Sequence, residues 1–300
     1  MNSKAKSTFF LFTAAVVWGF AFVAQKLGAD DVAPFYFNGI RFVIGAIALI
    51  PVVFISERGK VGYKLFPTMR AAAICALFLF TASALQQRGI MMTNDAGKSG
   101  FITALYSVLV PIFYFLIFRR KTAFNIWIGA FLAIVGTFFL SVKNDFSIEL
   151  GDLVLLIGSV FWAGHIISID FLIKDLNPIK FSLFQALFAG LYNLLFAVFT
   201  ETITFAGFSA ALIPILYCGV CSTGIAYTCQ IVGQKGADPT LATIILSTES
   251  LFSVLGGALI DGEVMSSRGY LGCVLIFAGV IVSQLVLKRK SKKLTKTESE

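Results

Sequence analysis

Two lone charges stand in runs that otherwise read as hydrocarbon: Arg41 in FNGIRFVIGAI at 37–47 and Glu249 in ILSTESLFSV at 245–254. A guanidinium in apolar sequence needs an anionic partner, a route to water along its own stem, or an anionic ligand. Arg41 therefore reads as the holder of a substrate or gating carboxylate, as a snorkelling group, or as the donor of a structural hydrogen bond to helix-end carbonyls. Glu249 is the more demanding case, because an ionised carboxylate facing lipid near the middle of a membrane is costly. It must face a polar space or carry its proton. There it can couple proton movement or pair with a substrate amine, or Ser247, Thr248, Ser250 and Ser253 can hold it as a neutral structural acid. His165 is the only histidine and follows Trp162 by three residues, on the same helical face. An imidazole in that place relays protons or serves as a hydrogen-bonded filler. Asp170 and Lys174 are one turn apart and read as an interface ion pair.

Neutral polar and aromatic side chains complete the set. Trp18, Phe22 and Gln25 share one helical face, as do Tyr227 and Gln230, while Gln86, Thr103 and Tyr106 mark two further runs. With Arg41, Trp162, His165, Gln185 and Glu249 they are the expected lining of one cavity for a small amphipathic solute, with His165 and Glu249 as its candidate proton-coupling groups. Nothing points to catalysis. No serine or cysteine has the neighbours of a nucleophile, no GxxxxGK[ST] is present, and the CxxC of Cys218 and Cys221 is flanked by Tyr217, Gly219 and Val220. Cys75, Cys229 and Cys273 make an odd total in apolar sequence, which is not a disulfide framework. The expectation is no enzyme, no metal and no cofactor.

The elements that must position these residues follow from composition. Of 300 residues 58% are hydrophobic and 13% charged, more apolar side chain than a soluble chain of this length can hide. At roughly 20 apolar residues per transmembrane helix, ten spans are expected, close to 8–28, 35–55, 69–90, 98–118, 123–141, 151–173, 180–200, 210–232, 240–260 and 268–287. The net charge of +8 is not a nucleic-acid footprint, because it is distributed by side. With the N-terminus in the cytoplasm, Lys4, Lys6, Arg58, Lys60, Lys64, Arg70, Arg119, Arg120, Lys121, Lys174, Lys180, Lys235 and the tail KRKSKK at 288–293 all fall inside. The other face keeps Lys26, Arg88, Lys98, Lys143 and Arg268 and collects acids such as Asp30, Asp31, Glu149, Asp152, Glu201 and Asp261. That asymmetry expects both termini in the cytoplasm. The first run reads as a retained helix rather than a cleaved leader, because Phe22 in FVA is bulky where cleavage wants a small side chain.

The chain also repeats. W18-G-F and P34-FYFNGIRF align with W162-A-G and P178-IKFSLFQA at an offset of 144, which pairs Arg41 with Gln185, and W127-IGAFLAIVG aligns with Y270-LGCVLIFAG at 143. Between them ALYSVLVPIFYF at 104–115 best overlays TIILSTESLFSV at 243–254 at 139, which implies a linker about four residues longer in the second half. Two halves of five spans, 1–147 and 148–287, followed by a basic tail at 288–300, must sit in opposite orientations. Inverted repeats of this kind are a hallmark of secondary transporters. Gly129 and Gly136, with Gly272 and Gly279, recur at seven-residue spacing and read as sites of close helix approach.

WGFAF at 18–22, GIRF at 39–42, VLVP at 108–111 and IDGE at 260–263, in this order and duplicated, resemble the EamA-type branch of the drug/metabolite transporter superfamily. The resemblance implies an all-α, ten-helix integral membrane protein of inverted five-helix repeats, a multi-pass carrier of the bacterial inner membrane. It implies transport of a small organic metabolite, with export of amino acids or their derivatives leading, and lipid and a small-molecule substrate as partners. A cationic-drug efflux carrier and a non-transporting membrane subunit are the alternatives. The first half has RRKT at 119–122 where the second has Gly262 and Glu263, so the family's acidic residue carries over only to Glu263.

Overall fold

In a computed structural model, residues 3–57, 64–119, 123–141, 149–262 and 266–297 are described, and they fold as helices with no β-strand among them. In chain order these are α1 Ser3–Ala29, α2 Pro34–Glu57, α3 Leu65–Thr93, α4 Ala96–Ala104, α5 Tyr106–Leu116, α6 Phe124–Ser141, α7 Leu150–Leu172 and α8 Pro178–Thr200. Then come α9 Phe205–Ala210, α10 Leu212–Leu216, a π-helix over Tyr217–Ala226, α11 Tyr227–Lys235, α12 Pro239–Leu246, α13 Glu249–Ile260 and α14 Ser267–Thr297. Among the described residues eight stretches are long and apolar enough to cross a membrane, two of them being the pairs Ala96–Leu116 and Pro239–Ile260. The remaining two expected spans are the apolar helices α6 and α14, whose apolar stretches Phe124–Gly136 and Ser267–Val282 are shorter. Glu263 lies outside the described residues, as does the expected junction at 147 and 148.

Local chemistry fixes where these helices begin. The Asn177 carboxamide oxygen accepts from the N–H groups of Ile179 and Lys180 ahead of Pro178, and the Asp238 carboxylate accepts from those of Thr240 and Leu241 ahead of Pro239. Asp95 caps α4 in the same way through the N–H of Lys98 at 2.8 Å. The caps correct the repeat register. Asp95 and Asp238 are 143 apart, as are the starts of α6 and α14, so the offset of 139 expected for the intervening span does not hold and the linker is not longer. A slip of four residues is about one helical turn, so an apolar pattern overlays nearly as well one turn out of phase. A cap occupies one position only. Asp238→Ala is expected to lower stability by about 1 kcal/mol, and Asp238→Asn far less, read as the unfolding midpoint of the detergent-purified protein.

Both capped spans break near their middles. α4 gives way to α5 at Leu105, and α12 to α13 at Ser247 and Thr248, through three-residue-spaced backbone bonds such as Leu105 N–H to Ile102 O and Thr248 N–H to Ile245 O. Helices before residue 147 pack on helices after 148: α1 on α13 and α11, α2 on α8, α3 on α7, and α6 on α14. The last seam is reciprocal. A Cβ on Gly136 would lie 2.7 Å from the Gly272 carbonyl oxygen, and one on Gly279 would lie 2.7 Å from that of Gly129. Glycine here permits backbone-to-backbone contact that no other residue allows.

Candidate functional site

A cavity lies between these packed helices, with about 410 Å³ of space, part of it open to solvent. Trp18, Phe22 and Gln25 of α1, Arg41 of α2, Gln86 of α3, Thr103 of α4, Tyr106 of α5, Trp162 of α7, Tyr227 and Gln230 of α11 and Glu249 of α13 line it, together with Ile166 and Ser222. Eleven of the thirteen residues expected to share a cavity are thus brought together. Lone polar groups in apolar helices have nowhere else to go, since lipid would leave them unsatisfied.

Arg41 is 1% exposed. Its Nε donates to Asn38 Oδ1 at 2.8 Å, Asn38 Nδ2 donates to the Ser83 carbonyl at 2.9 Å, and its guanidinium carbon lies 4.6 Å from the Phe42 ring centroid. It takes part in no ion pair among the described residues, its burial leaves it no snorkelling route to water, and it lines the cavity. Its depth is set from the helix start, where Glu201 at the end of α8 accepts from the N–H groups of Phe35 and Tyr36 at 3.0 and 2.9 Å. Gln25, Gln86 and Gln87 tie α1 to α3: Gln86 Nε2 donates to Gln25 Oε1 at 3.3 Å and Gln87 Nε2 to the Gln25 carbonyl at 3.0 Å.

The two helix breaks deliver Tyr106 and Glu249, each the first residue of its half-helix. Glu249 is buried and sits at the amino end of α13, where the helix dipole favours negative charge. Gly19 lets α1 reach this point, because a Cβ there would come 2.7 Å from the Glu249 carbonyl oxygen. Glu249 Oε1, the Tyr106 hydroxyl, Trp162 Nε1 and Gln230 Oε1 are buried, and none makes a hydrogen bond of good geometry among the described residues, although the Tyr106 hydroxyl interacts with the Glu249 carboxyl. The cavity therefore presents donors and acceptors of both kinds to whatever occupies it. Its apolar wall is aromatic, with Tyr227 edge-on to Trp18 at 4.8 Å and stacked on Trp162 at 6.3 Å. The π-helix supplies the Ser222 carbonyl, which accepts from Trp18 Nε1 at 3.3 Å.

His165 and Gln185 were expected in this lining and stand behind it. The His165 ring packs edge-on against Trp162 and Tyr227, at 5.7 and 6.1 Å, so these two walls screen it. Its Nε2 is 3.2 Å from Gln185 Oε1, which also accepts from Cys75 Sγ at 3.2 Å. Three-residue spacing places His165 near the Trp162 face but turned about 60° from it at 100° per residue, and that turn decides which side of the wall it occupies. Asp170 accepts from the Tyr114 hydroxyl at 2.6 Å rather than pairing with Lys174, whose Nζ lies over the Phe171 ring. Two lining residues escaped the sequence reading. Ile166 was legible, being the offset-144 partner of Phe22, whereas Ser222 enters through its backbone and the π-helix, for which no side-chain signal exists.

The chain matches the EamA-like transporter family over residues 5–142 and again over 149–285. It is 29% identical over 274 residues to an uncharacterized transporter of Archaeoglobus fulgidus, covering 90% of this chain and 83% of that protein. It is 22% identical over 289 residues to the uncharacterized transporter YoaV of Bacillus subtilis, covering 93% and 97%. A solved crystal structure at 18% identity superposes with a TM-score of 0.77 over 95% of this chain and 99% of that one, which shows a shared fold.

Proposed function

The chain belongs to the EamA-like transporter family of multi-pass membrane proteins, and from that premise we propose that it is a secondary carrier of a small zwitterionic metabolite, an amino acid or derivative, with export favoured. One observation carries the reading. A guanidinium in no ion pair among the described residues and a buried carboxyl face the same cavity. A solute bearing its own carboxylate and amine complements both, and the aromatic wall takes its apolar part. Transport proceeds by alternating access of two inverted five-helix halves, 1–147 and 148–287, across the cytoplasmic membrane with both termini inside. The duplicated caps, the paired helix breaks and the reciprocal glycine seam of α6 and α14 support that symmetry. Glu249 is the proposed proton-coupling group.

The aromatic wall around Glu249 favours one rival, a cationic-drug carrier in which Glu249 is the counter-ion. Arg41 on the same cavity opposes a lone cation. Flux of a labelled amino-acid mixture and of a labelled quaternary ammonium into proteoliposomes separates the two. For an amino acid, Arg41→Gln is expected to raise the half-saturation constant by roughly 10- to 100-fold, the worth of one hydrogen bond to a charged group. Flux of the ammonium alone, unaffected or improved by Arg41→Gln, supports the rival.

A further inference from the structure

The repeat that pairs Trp18 with Trp162 and Phe22 with Ile166 at an offset of 144 also pairs Arg41 with Gln185. The first two pairs contribute both members to the cavity, whereas the third is split, with Arg41 inside and Gln185 behind the wall. Arg41 and Gln185 stand at equivalent places, seven residues after the prolines that open α2 and α8, and these helices pack on each other. Gln185 Nε2 and His165 Nδ1 are buried without a partner among the described residues, although the Gln185 carbonyl oxygen accepts from both His165 Nε2 and Cys75. Unpartnered polar atoms behind a cavity wall are unfavourable in the conformation that hides them, and a second conformation that uses them explains their presence. Trp162 and Tyr227, which line the cavity, pack edge-on against His165.

We infer that Gln185, whose carbonyl oxygen is held by His165, forms a second solute subsite, its free amide N–H groups taking the solute's carboxylate in the conformation opposite to this one, in which Arg41 takes it. The inference rests on the carrier reading above. Exchange of two inverted halves moves each residue into its partner's surroundings, so Gln185 enters the cavity as Arg41 withdraws. A neutral amide donor holds a carboxylate less strongly than a guanidinium does. The solute is therefore bound tightly on one side of the membrane and released on the other.

The test uses Arg41→Cys and Gln185→Cys, each in a chain whose five native cysteines are replaced by serine, in membrane vesicles of both orientations. The impermeant thiol reagent MTSET is applied to one side at a time. Arg41→Cys is expected to react from one side only, and Gln185→Cys from the opposite side only. Reaction of both from the same side, or of Gln185→Cys from neither, overturns the subsite. Gln185→Arg with native cysteines serves if the cysteine-free chain does not fold: it is expected to abolish a roughly tenfold difference in half-saturation constant between the two sides, and an unchanged difference overturns the proposal. Flux of a labelled amino-acid mixture in vesicles that carry the unsubstituted chain keeps the two failures apart. No flux overturns the carrier reading itself, while flux with the wrong sidedness of labelling overturns only the second subsite.

Discussion

Changing Glu249 to glutamine is expected to abolish the pH-gradient-dependent part of solute flux in proteoliposomes while leaving solute counterflow in place. The amide has nearly the shape of the acid and occupies the same position at the break between α12 and α13. It can neither take up nor release a proton. Glu249 is the acid that lines the cavity, buried at 4% exposure, so nothing else on the cavity wall replaces it in that role. A buried carboxyl changes its charge readily when its surroundings change, and in the proposed mechanism the opening of the cavity to one side and then the other would supply that change. Loss of counterflow together with gradient-driven flux would instead make Glu249 the counter-ion of the substrate amine. Retention of both would reduce it to a structural acid.

Valine at Gly136 is expected to produce the largest loss of stability, about 3 kcal/mol. Its Cβ would meet the Gly272 carbonyl oxygen at 2.7 Å, the Ile276 nitrogen at 2.9 Å and the Leu275 Cβ at 2.9 Å, and two of these are backbone atoms that move only if the whole helix moves. α6 and α14 would separate along a seam where Gly279 makes the same approach to Gly129. Inside a membrane the association of helices depends on close packing, because lipid is as apolar as the interface it replaces. Gly164→Ala is the control. Its Cβ would meet only the ring of Phe78, a partly exposed side chain that can swing aside, so its unfolding midpoint in detergent should change little. Equal effects of the two substitutions would show that the seam does not hold the halves together.

The sequence by itself determined that the chain is an apolar, duplicated bundle, and it found most of the cavity. A lone Arg41, Glu249, Gln86 or Gln230 in hydrocarbon must turn inward, so polarity alone identifies the residues that share a space. It could not phase the helices more finely. A helix that is apolar all round has no polar face to mark its rotation, which is why the fourth spans overlaid one turn out of register until Asp95 and Asp238 showed themselves as equivalent caps. The same lack of phase left the side of the wall open for His165 and Gln185. Only tertiary packing decided that, by placing Trp162 and Tyr227 between them and the cavity. The breaks at Leu105 and Ser247 and the π-helix at Tyr217–Ala226 were likewise invisible, because they arise from how neighbouring backbones meet rather than from any residue's own preference.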